Sequence, residues 1–415
     1  MMTISKFKNR NEVFVWIYLP GKVKPIVSGK VVKAHEKYSF IYAQSYLKNP
    51  DSIALSPFEL PLKTGHYLPK GMNAIHSCLR DAGPDAWGRR LIDYQNPVFH
   101  ANELDYLLLS GSNRIGALDF QESSSRYEPK EINSISIDKL LEIAELIIAE
   151  KPIPKELEFA LIRGTSIGGA RPKALIYDDH KEAIAKFGLS KEIFNSIKAE
   201  YIGMRMAKQL GIQVPSVRLH QALGKDILII DRFDREYKPT GATRKLMLSG
   251  LSILGLNEME ARYASYIDLA MIIRQQFINP KNQLLELYKR IIFNILIGNT
   301  DDHARNHSAF WNGSALELTP AYDLCPQIRT GFEATQAMAI NGSDGNFSTL
   351  KNVLSVCDAF LLERSEAKPL INEMISLSRD FWPEVCDLAK ISASDKSKLW
   401  EKSIFNPFCF QGWND

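Results

Sequence analysis

The stretch Asn299-Thr300-Asp301-Asp302-His303-Ala304-Arg305-Asn306-His307 decides how the chain is read. It follows a segment, 282–297, whose Leu284, Leu285, Leu287, Tyr288, Ile291, Ile292, Ile295 and Leu296 form one broad apolar stripe. That spacing predicts a buried helix emptying into a polar loop. Two chemistries fit the loop. Asp301, Asp302, His303 and His307 are all possible metal ligands, as in a metal hydrolase. The two histidines four apart lack the helix and the glutamate that such a pattern needs, and position 304 is alanine. Alternatively, Asp301 and Asn306 have the spacing of a kinase catalytic loop. There an Asp accepts the substrate hydroxyl proton and an Asn five residues later holds magnesium. One short loop can then align nucleophile and metal, although the spacing alone is common by chance.

The surroundings favour the second chemistry. Residues 308–311 and 315–318 are strand-like and flank Asn312-Gly313, a strong hairpin signal, and Thr319-Pro320-Ala321-Tyr322-Asp323 follows at once. A kinase uses this order to return its metal-binding Asp to the catalytic loop, which gives Asp323 that role, with Leu324-Cys325 in place of Phe-Gly. As an isolated residue, Asp323 would read as an ordinary turn aspartate.

Upstream, a kinase needs a strand lysine and a helix glutamate to hold it against the phosphates. Lys186 lies in the strand-like run 182–187, with Ile184 on its face and Ala185 and Phe187 on the other. The plain alternative is an exposed strand lysine. On the helix expected over roughly 191–210, Ile193, Ile197, Met204 and Ala207 form an apolar stripe with Glu200 in its middle. A carboxylate aimed at a core needs a partner, and Lys186 is the nearest candidate; a solvent-facing Glu200 at the helix margin is the alternative. Before the lysine strand and its neighbour 173–177 lies a glycine-rich loop, 163–170, with Gly164, Gly168 and Gly169 beside Thr165 and Ser166. Backbone N–H groups in such a loop can approach phosphates closely, though no Gly-Lys-Ser/Thr closes it as in a Walker A loop. The apolar strand at 226–231, breaking into Arg232-Phe233-Asp234-Arg235, stands where a kinase hinge would meet adenine.

Outward from this core, 12–22, 27–33, 38–43 and 115–119 read as strands, 79–92 as a turn feeding a short helix, and 121–130 as a linker. Ser136 is a candidate N-cap for a helix over 136–150, and helices are expected to dominate from about residue 256. The fold class expected is α+β, in three parts: a small β-rich domain at 1–125, a lobe with the glycine-rich loop at 126–235, and a helical lobe at 236–415. A chain of 415 residues with 45% hydrophobic and 24% charged residues is neither disordered nor collagen-like. Its net charge of +3 gives no argument for nucleic acid or membrane binding. Five scattered cysteines without a C-x-x-C pair read as reduced thiols, and the N-terminus has no apolar run of signal-peptide type, so a cytoplasmic location is expected. No apolar run reaches membrane-spanning length.

Assembled, these segments resemble the HipA family, the serine/threonine-kinase toxins of bacterial toxin–antitoxin pairs. The resemblance rests on TSIGGARPKAL (165–175), LIIDRFDRE (228–236), IGNTDDHARNHSAFW (297–311) and LTPAYDL (318–324), and on VWIYLPGK (15–22) and RDAGPDAWGRR (80–90) near the N-terminus. It implies a two-lobed, protein-kinase-like fold carrying a small N-terminal β-rich domain, and an enzyme using ATP and Mg2+. By the same resemblance Asp301 is the catalytic aspartate, Asn306 and Asp323 are magnesium ligands, and Lys186, with Glu200, serves the ATP phosphates. Ser166, Ile167, Gly168 and Gly169 fall on the ATP-binding loop, and Asp231 and Phe233 on the hinge. Ser166 matches a serine that the family autophosphorylates, which displaces the loop and switches the kinase off; Thr165 offers a second hydroxyl. The implied partners are a HipB-like helix-turn-helix antitoxin, through which DNA would be contacted, and a protein substrate of the aminoacyl-tRNA synthetase class. Asp302 departs from the glycine common after the catalytic aspartate. Two rival functions remain open from the sequence: a small-molecule kinase, and a weakly catalytic docking partner of a DNA-binding repressor.

Overall fold

The computed structural model describes residues 9–95, 97–130, 135–167, 169, 171–178, 181–188, 194–329, 331–342 and 345–413. Gly168 of the glycine-rich loop and Ile193 of the expected helix stripe lie outside the described residues. Strands β1 (Glu12–Ile17), β2 (Ile26–Ala34), β3 (Lys37–Tyr42) and β4 (Leu118–Gln121) form an antiparallel sheet in the order β3-β2-β1-β4. The expected strand at 115–119 starts later because Gly116 takes a positive φ of 79° and donates its N–H to Asp234 Oδ2. The stretch 121–130 is no free linker. Its first residue completes β4, the Tyr127 hydroxyl donates to Asp119 Oδ2 at 2.8 Å, and the Lys130 amide donates to Ser112 Oγ at 2.9 Å.

A second antiparallel sheet carries the kinase-like lobe. Strands β5 (Lys173–Asp178), β6 (Lys181–Phe187), β7 (Val217–Ala222) and β8 (Lys225–Asp231) run in the order β5-β6-β8-β7. Strand alternation divides its two faces. Ala183, Ala185, Phe187, Ile227 and Ile229 join a core with the Ile137–Ile148 helix, which Ser136 caps as expected. Leu228 and Ile230 face the other core, shared with Ile197, Met204 and Ala207 of the Ser196–Gln209 helix. Lys186 is paired in register with Leu228, so it shares that second face.

The remainder is mainly helical. The Pro280–Leu296 helix buries Leu284, Leu287, Tyr288, Ile291, Ile292, Ile295 and Leu296, each contributing roughly 1.5–3 kcal/mol on leaving water. Leu285, expected in that stripe, is only half-buried beside a shallow surface cleft. Strands β9 (Arg235–Lys238) and β10 (Gly241–Arg244) form a hairpin, and β11 (Leu246–Ser249), β12 (Ser308–Trp311) and β13 (Leu316–Leu318) a three-stranded sheet. The long Arg364–Ala389 helix packs against the Ser196–Gln209 helix. All five cysteines are buried and free. Among the described residues no helix is long and apolar enough to cross a membrane.

Buried arginines fasten the N-terminal sheet to the second lobe. Arg232 and Arg235 both donate to the Arg114 carbonyl at 2.6 Å and to Asn113 Oδ1, and both pair with Asp234. Such guanidiniums are tolerable inside only because each is paired and hydrogen-bonded.

Candidate active site

Strand β6 carries a buried Lys186, not an exposed one, and its ammonium donates to two carboxylates: Glu200 Oε1 at 2.6 Å and Asp323 Oδ1 at 2.6 Å. Glu200 reaches it because Asn195 caps the Ser196–Gln209 helix, accepting from the Lys198 amide at 3.0 Å, and so fixes the helix phase that points residue 200 inward. Asp323 reaches it through a left-handed backbone conformation, φ 61°, which turns the chain between Tyr322 and Leu324. Gly203 permits the approach of helix and turn. A Cβ built on it would stand 2.1 Å from the Leu324 carbonyl oxygen.

Burial alone would lower the pKa of Lys186, but Asp323 and then Glu200 overrule it, so the lysine stays protonated. Asp323 in turn is held well below the ordinary carboxylate range, chiefly by Lys186. A second cation, which the sequence reading missed, joins them. Lys173 of β5 lies directly across the ladder from Lys186 and is buried too, and burial followed by repulsion from Lys186 brings its pKa down to about 8. Two buried lysines therefore lie side by side across one ladder, with the Asp323 and Glu200 carboxylates near both.

The loop after the Pro280–Leu296 helix turns at Gly298, φ 65°, and places Asp301 at an exposed position and Asn306 at the end of a 3-10 turn, Ala304–Asn306. Crowding by surrounding protein, reinforced by the Asp323 carboxylate and opposed by His303 and Arg171, raises the Asp301 pKa. A carboxylate so shifted is a better proton acceptor. Asn306 Nδ2 donates to the Asp301 carbonyl at 3.2 Å, which leaves its Oδ1 as the atom able to ligate a cation. Asn299, also missed from sequence, donates from Nδ2 to Asn294 Oδ1 at 2.9 Å and to the Asp323 carbonyl at 3.3 Å, tying the two acidic segments together.

Asp302 points the other way. It is buried, and its Oδ2 accepts from the Tyr266 hydroxyl at 2.5 Å, Asn294 Nδ2 at 2.8 Å and the His307 ring nitrogen Nε2 at 2.9 Å. The residue that departs from glycine is therefore an internal anchor of the loop. His307 is tied to Asp302 through Nε2, and among the described residues no group of three His, Cys, Asp or Glu could hold a metal by protein ligands alone. The donor set left, ionised Asp323 and the Asn306 amide, suits Mg2+, which takes most of its six ligands from water and phosphate.

The glycine-rich segment is more ordered than a plain loop. Ile162–Thr165 form one helical turn, and Thr165, Ser166 and Ile167 are buried. Ser166 Oγ donates to the Asn113 carbonyl at 3.1 Å, and Thr165 Oγ1 accepts from the Gly111 amide at 3.0 Å, so both hydroxyls face the N-terminal domain. Gly169 has φ 104°, a conformation that favours glycine. Asp231 ends β8 and pairs with Arg218 at 2.6 Å. Phe233 stacks on Tyr322 with ring centroids 5.8 Å apart, against the segment that carries Asp323.

Residues 165–382 match the HipA-like C-terminal domain, and residues 22–121 match the HipA N-terminal domain. The serine/threonine-protein kinase toxin HipA of Shewanella oneidensis is 28% identical over 201 residues, 42% of this chain and 46% of that protein. A protein of Haemophilus influenzae is 30% identical over 179 residues, 39% of this chain and 52% of its own length. The chain thus spans about half the length of these curated relatives. Among solved structures, the Shewanella oneidensis MR-1 complex of HipA, HipB and operator DNA superposes with a TM-score of 0.69 at 21% identity. It covers 93% of this chain and 95% of the matched one. This likeness establishes the two-lobed, kinase-like α+β fold.

Proposed function

The chain belongs to the HipA family, and from that membership we propose that it is an ATP-dependent serine/threonine protein kinase, the toxin of a toxin–antitoxin pair. One observation carries the reading: the Lys186 ammonium held at 2.6 Å by both Glu200 and Asp323. A kinase needs this lysine–glutamate pair beside a metal-binding aspartate.

Mg2+-ATP, when bound, would supply the γ-phosphoryl group and a cation to neutralise the phosphate charge. The protein's own contribution is positioning and charge. Lys186, kept in place by Glu200, presents its ammonium to phosphate oxygens, with Lys173 adding a second positive charge beside it. Asp323 and Asn306 would hold the cation. Asp301 orients the acceptor hydroxyl and takes its proton as that oxygen bonds the γ-phosphorus, while the bond to the β-phosphate oxygen breaks and ADP leaves. Asn299 and Asp302 keep these groups in register.

The partner is a HipB-like helix-turn-helix antitoxin, a reading supported by the presence of HipB and operator DNA beside HipA in the Shewanella complex. The substrate is a protein of the translation apparatus, of the aminoacyl-tRNA synthetase class, encountered in the cytoplasm. Self-modification at Ser166, with Thr165 as the second hydroxyl, ends activity. Because Ser166 is buried against Asn113, that step requires the loop to leave its seat.

Incubating the full chain with labelled ATP and cell lysate should label the chain and a second protein. Asp301→Asn should bind ATP unchanged and label neither. Undiminished transfer by that variant removes the assignment, and label appearing only in small molecules moves the chain to another kinase class.

A further inference from the structure

The motif Asp81-Ala82-Gly83-Pro84-Asp85-Ala86-Trp87-Gly88-Arg89-Arg90 belongs to the N-terminal domain, yet it meets both loops of the candidate active site. Asp85 stands just before the Ala86–Gln95 helix. Its Oδ2 accepts the Gly169 amide at 2.6 Å, and its Oδ1 accepts Arg305 Nη2 at 2.8 Å. Gly169 belongs to the glycine-rich loop, and Arg305 sits between Asp301 and Asn306. One carboxylate thus joins three segments that are 84 and 220 residues apart in the chain.

The contact is built on both sides. Trp87 donates its backbone N–H to the Gly169 carbonyl at 3.3 Å, so both polar backbone groups of Gly169 are held by the same turn. The Trp87 indole N–H donates to the Lys173 carbonyl at 3.0 Å, fixing the strand that follows the loop. Two glycines allow the close approach. A Cβ on Gly88 would lie 2.6 Å from the Thr165 carbonyl oxygen, and one on Gly164 would lie 2.5 Å from Leu91 Cδ1. Arg89 forms a bidentate pair with Glu103 at 2.7 Å, which anchors the helix to its own domain. Arg305 Nη1 also reaches Glu258 at 3.3 Å, so its guanidinium has two acidic partners and a fixed direction.

Resting on the kinase reading above, we propose that Asp85 is a positioning residue that sets the glycine-rich loop against the catalytic loop. The N-terminal domain is then a third wall of the nucleotide site and not only a docking module. Its carboxylate has two separable tasks: accepting the Gly169 amide, and attracting Arg305. Asparagine can keep the first and not the second; alanine keeps neither.

The test measures KM for ATP, kcat and amide hydrogen exchange over residues 163–173 in the full-length chain. Asp85→Asn should leave KM for ATP within about twofold and lower kcat about tenfold, the size expected for losing one charged hydrogen bond. Asp85→Ala should lower kcat similarly, raise KM about tenfold, and speed exchange at Gly169 about tenfold. Wild-type kinetics in both variants, or a lower melting temperature with unchanged KM and kcat, would overturn the proposal. If the wild-type chain transfers no phosphate, the kinase reading fails. The exchange measurement then still decides whether Asp85 holds the loop: unchanged exchange in Asp85→Ala would refute it.

Discussion

Lys186 and Glu200 meet at 2.6 Å in the interior, a strand cation and a helix anion each with almost no access to solvent. Neither would be stable there alone, since an unpaired buried charge costs several kcal/mol. The pair therefore fixes the Ser196–Gln209 helix to the sheet while it presents the ammonium towards Asp323.

Replacing Glu200 with alanine leaves Lys186 with Asp323 as its remaining anion. Stability in denaturant should fall by about 3 kcal/mol, and ATP affinity should drop with it. Glu200→Gln, which keeps an acceptor oxygen, should fall by less. A loss below about 1 kcal/mol for alanine would mean that the pair is not buried as described.

Lys173 makes the site sensitive to mild alkali. With its pKa brought down to about 8 by burial and by Lys186, the folded chain releases this proton before the unfolded chain does at about 10.4. Between those values the unfolded state holds more protons, so this group makes stability rise with pH across the window. A phosphate chain bound beside it favours the cation. ATP binding near pH 8.5 should therefore take up a fraction of a proton, seen by calorimetry in buffers of different ionisation enthalpy. Lys173→Met should abolish that uptake, and an equal uptake in the variant would exclude Lys173 as its source.

Gly203 lies where helix and turn touch. A methyl group there cannot coexist with the Leu324 carbonyl at 2.1 Å. Gly203→Ala should cost about 1–3 kcal/mol and push Glu200 away from Lys186, reducing activity more than a distant substitution of equal stability cost. Activity following stability alone would argue against this coupling.

Asp302→Ala should strand Tyr266, Asn294 and His307 without their shared acceptor. About 3 kcal/mol of stability and most of kcat should be lost, with ATP affinity less affected. Retained kcat with lowered stability would reduce Asp302 to a folding element.

Much of this was legible in the amino-acid order. The helix stripe before Asn299, the hairpin around Asn312-Gly313 and the placement of Glu200 among apolar neighbours each carry a local periodicity that the fold preserves. Strand β7 was missed because it is a half-exposed edge with a weak apolar pattern. Strand β11 was missed because four buried residues have no period to read. Lys173 escaped notice because its role depends on the register of β5 against β6, which only pairing fixes. Asn299 and Asp85 act through contacts between remote segments, and no local spacing announces those. The glycine-rich segment misled in one respect: Gly164 serves tight packing against Trp87 and Leu91, whereas Gly169 supplies the backbone freedom.

The seat of Ser166 has a kinetic consequence. With 2% of its surface accessible and its hydroxyl spent on Asn113, the serine is out of reach of any other molecule until the segment escapes. A phosphate, carrying close to two negative charges and far more volume, could not return to that seat. Were self-modification at Ser166 to end activity as proposed, the escape rate of a few residues would act as a clock for the whole molecule, and strengthening the seal would lengthen its working life.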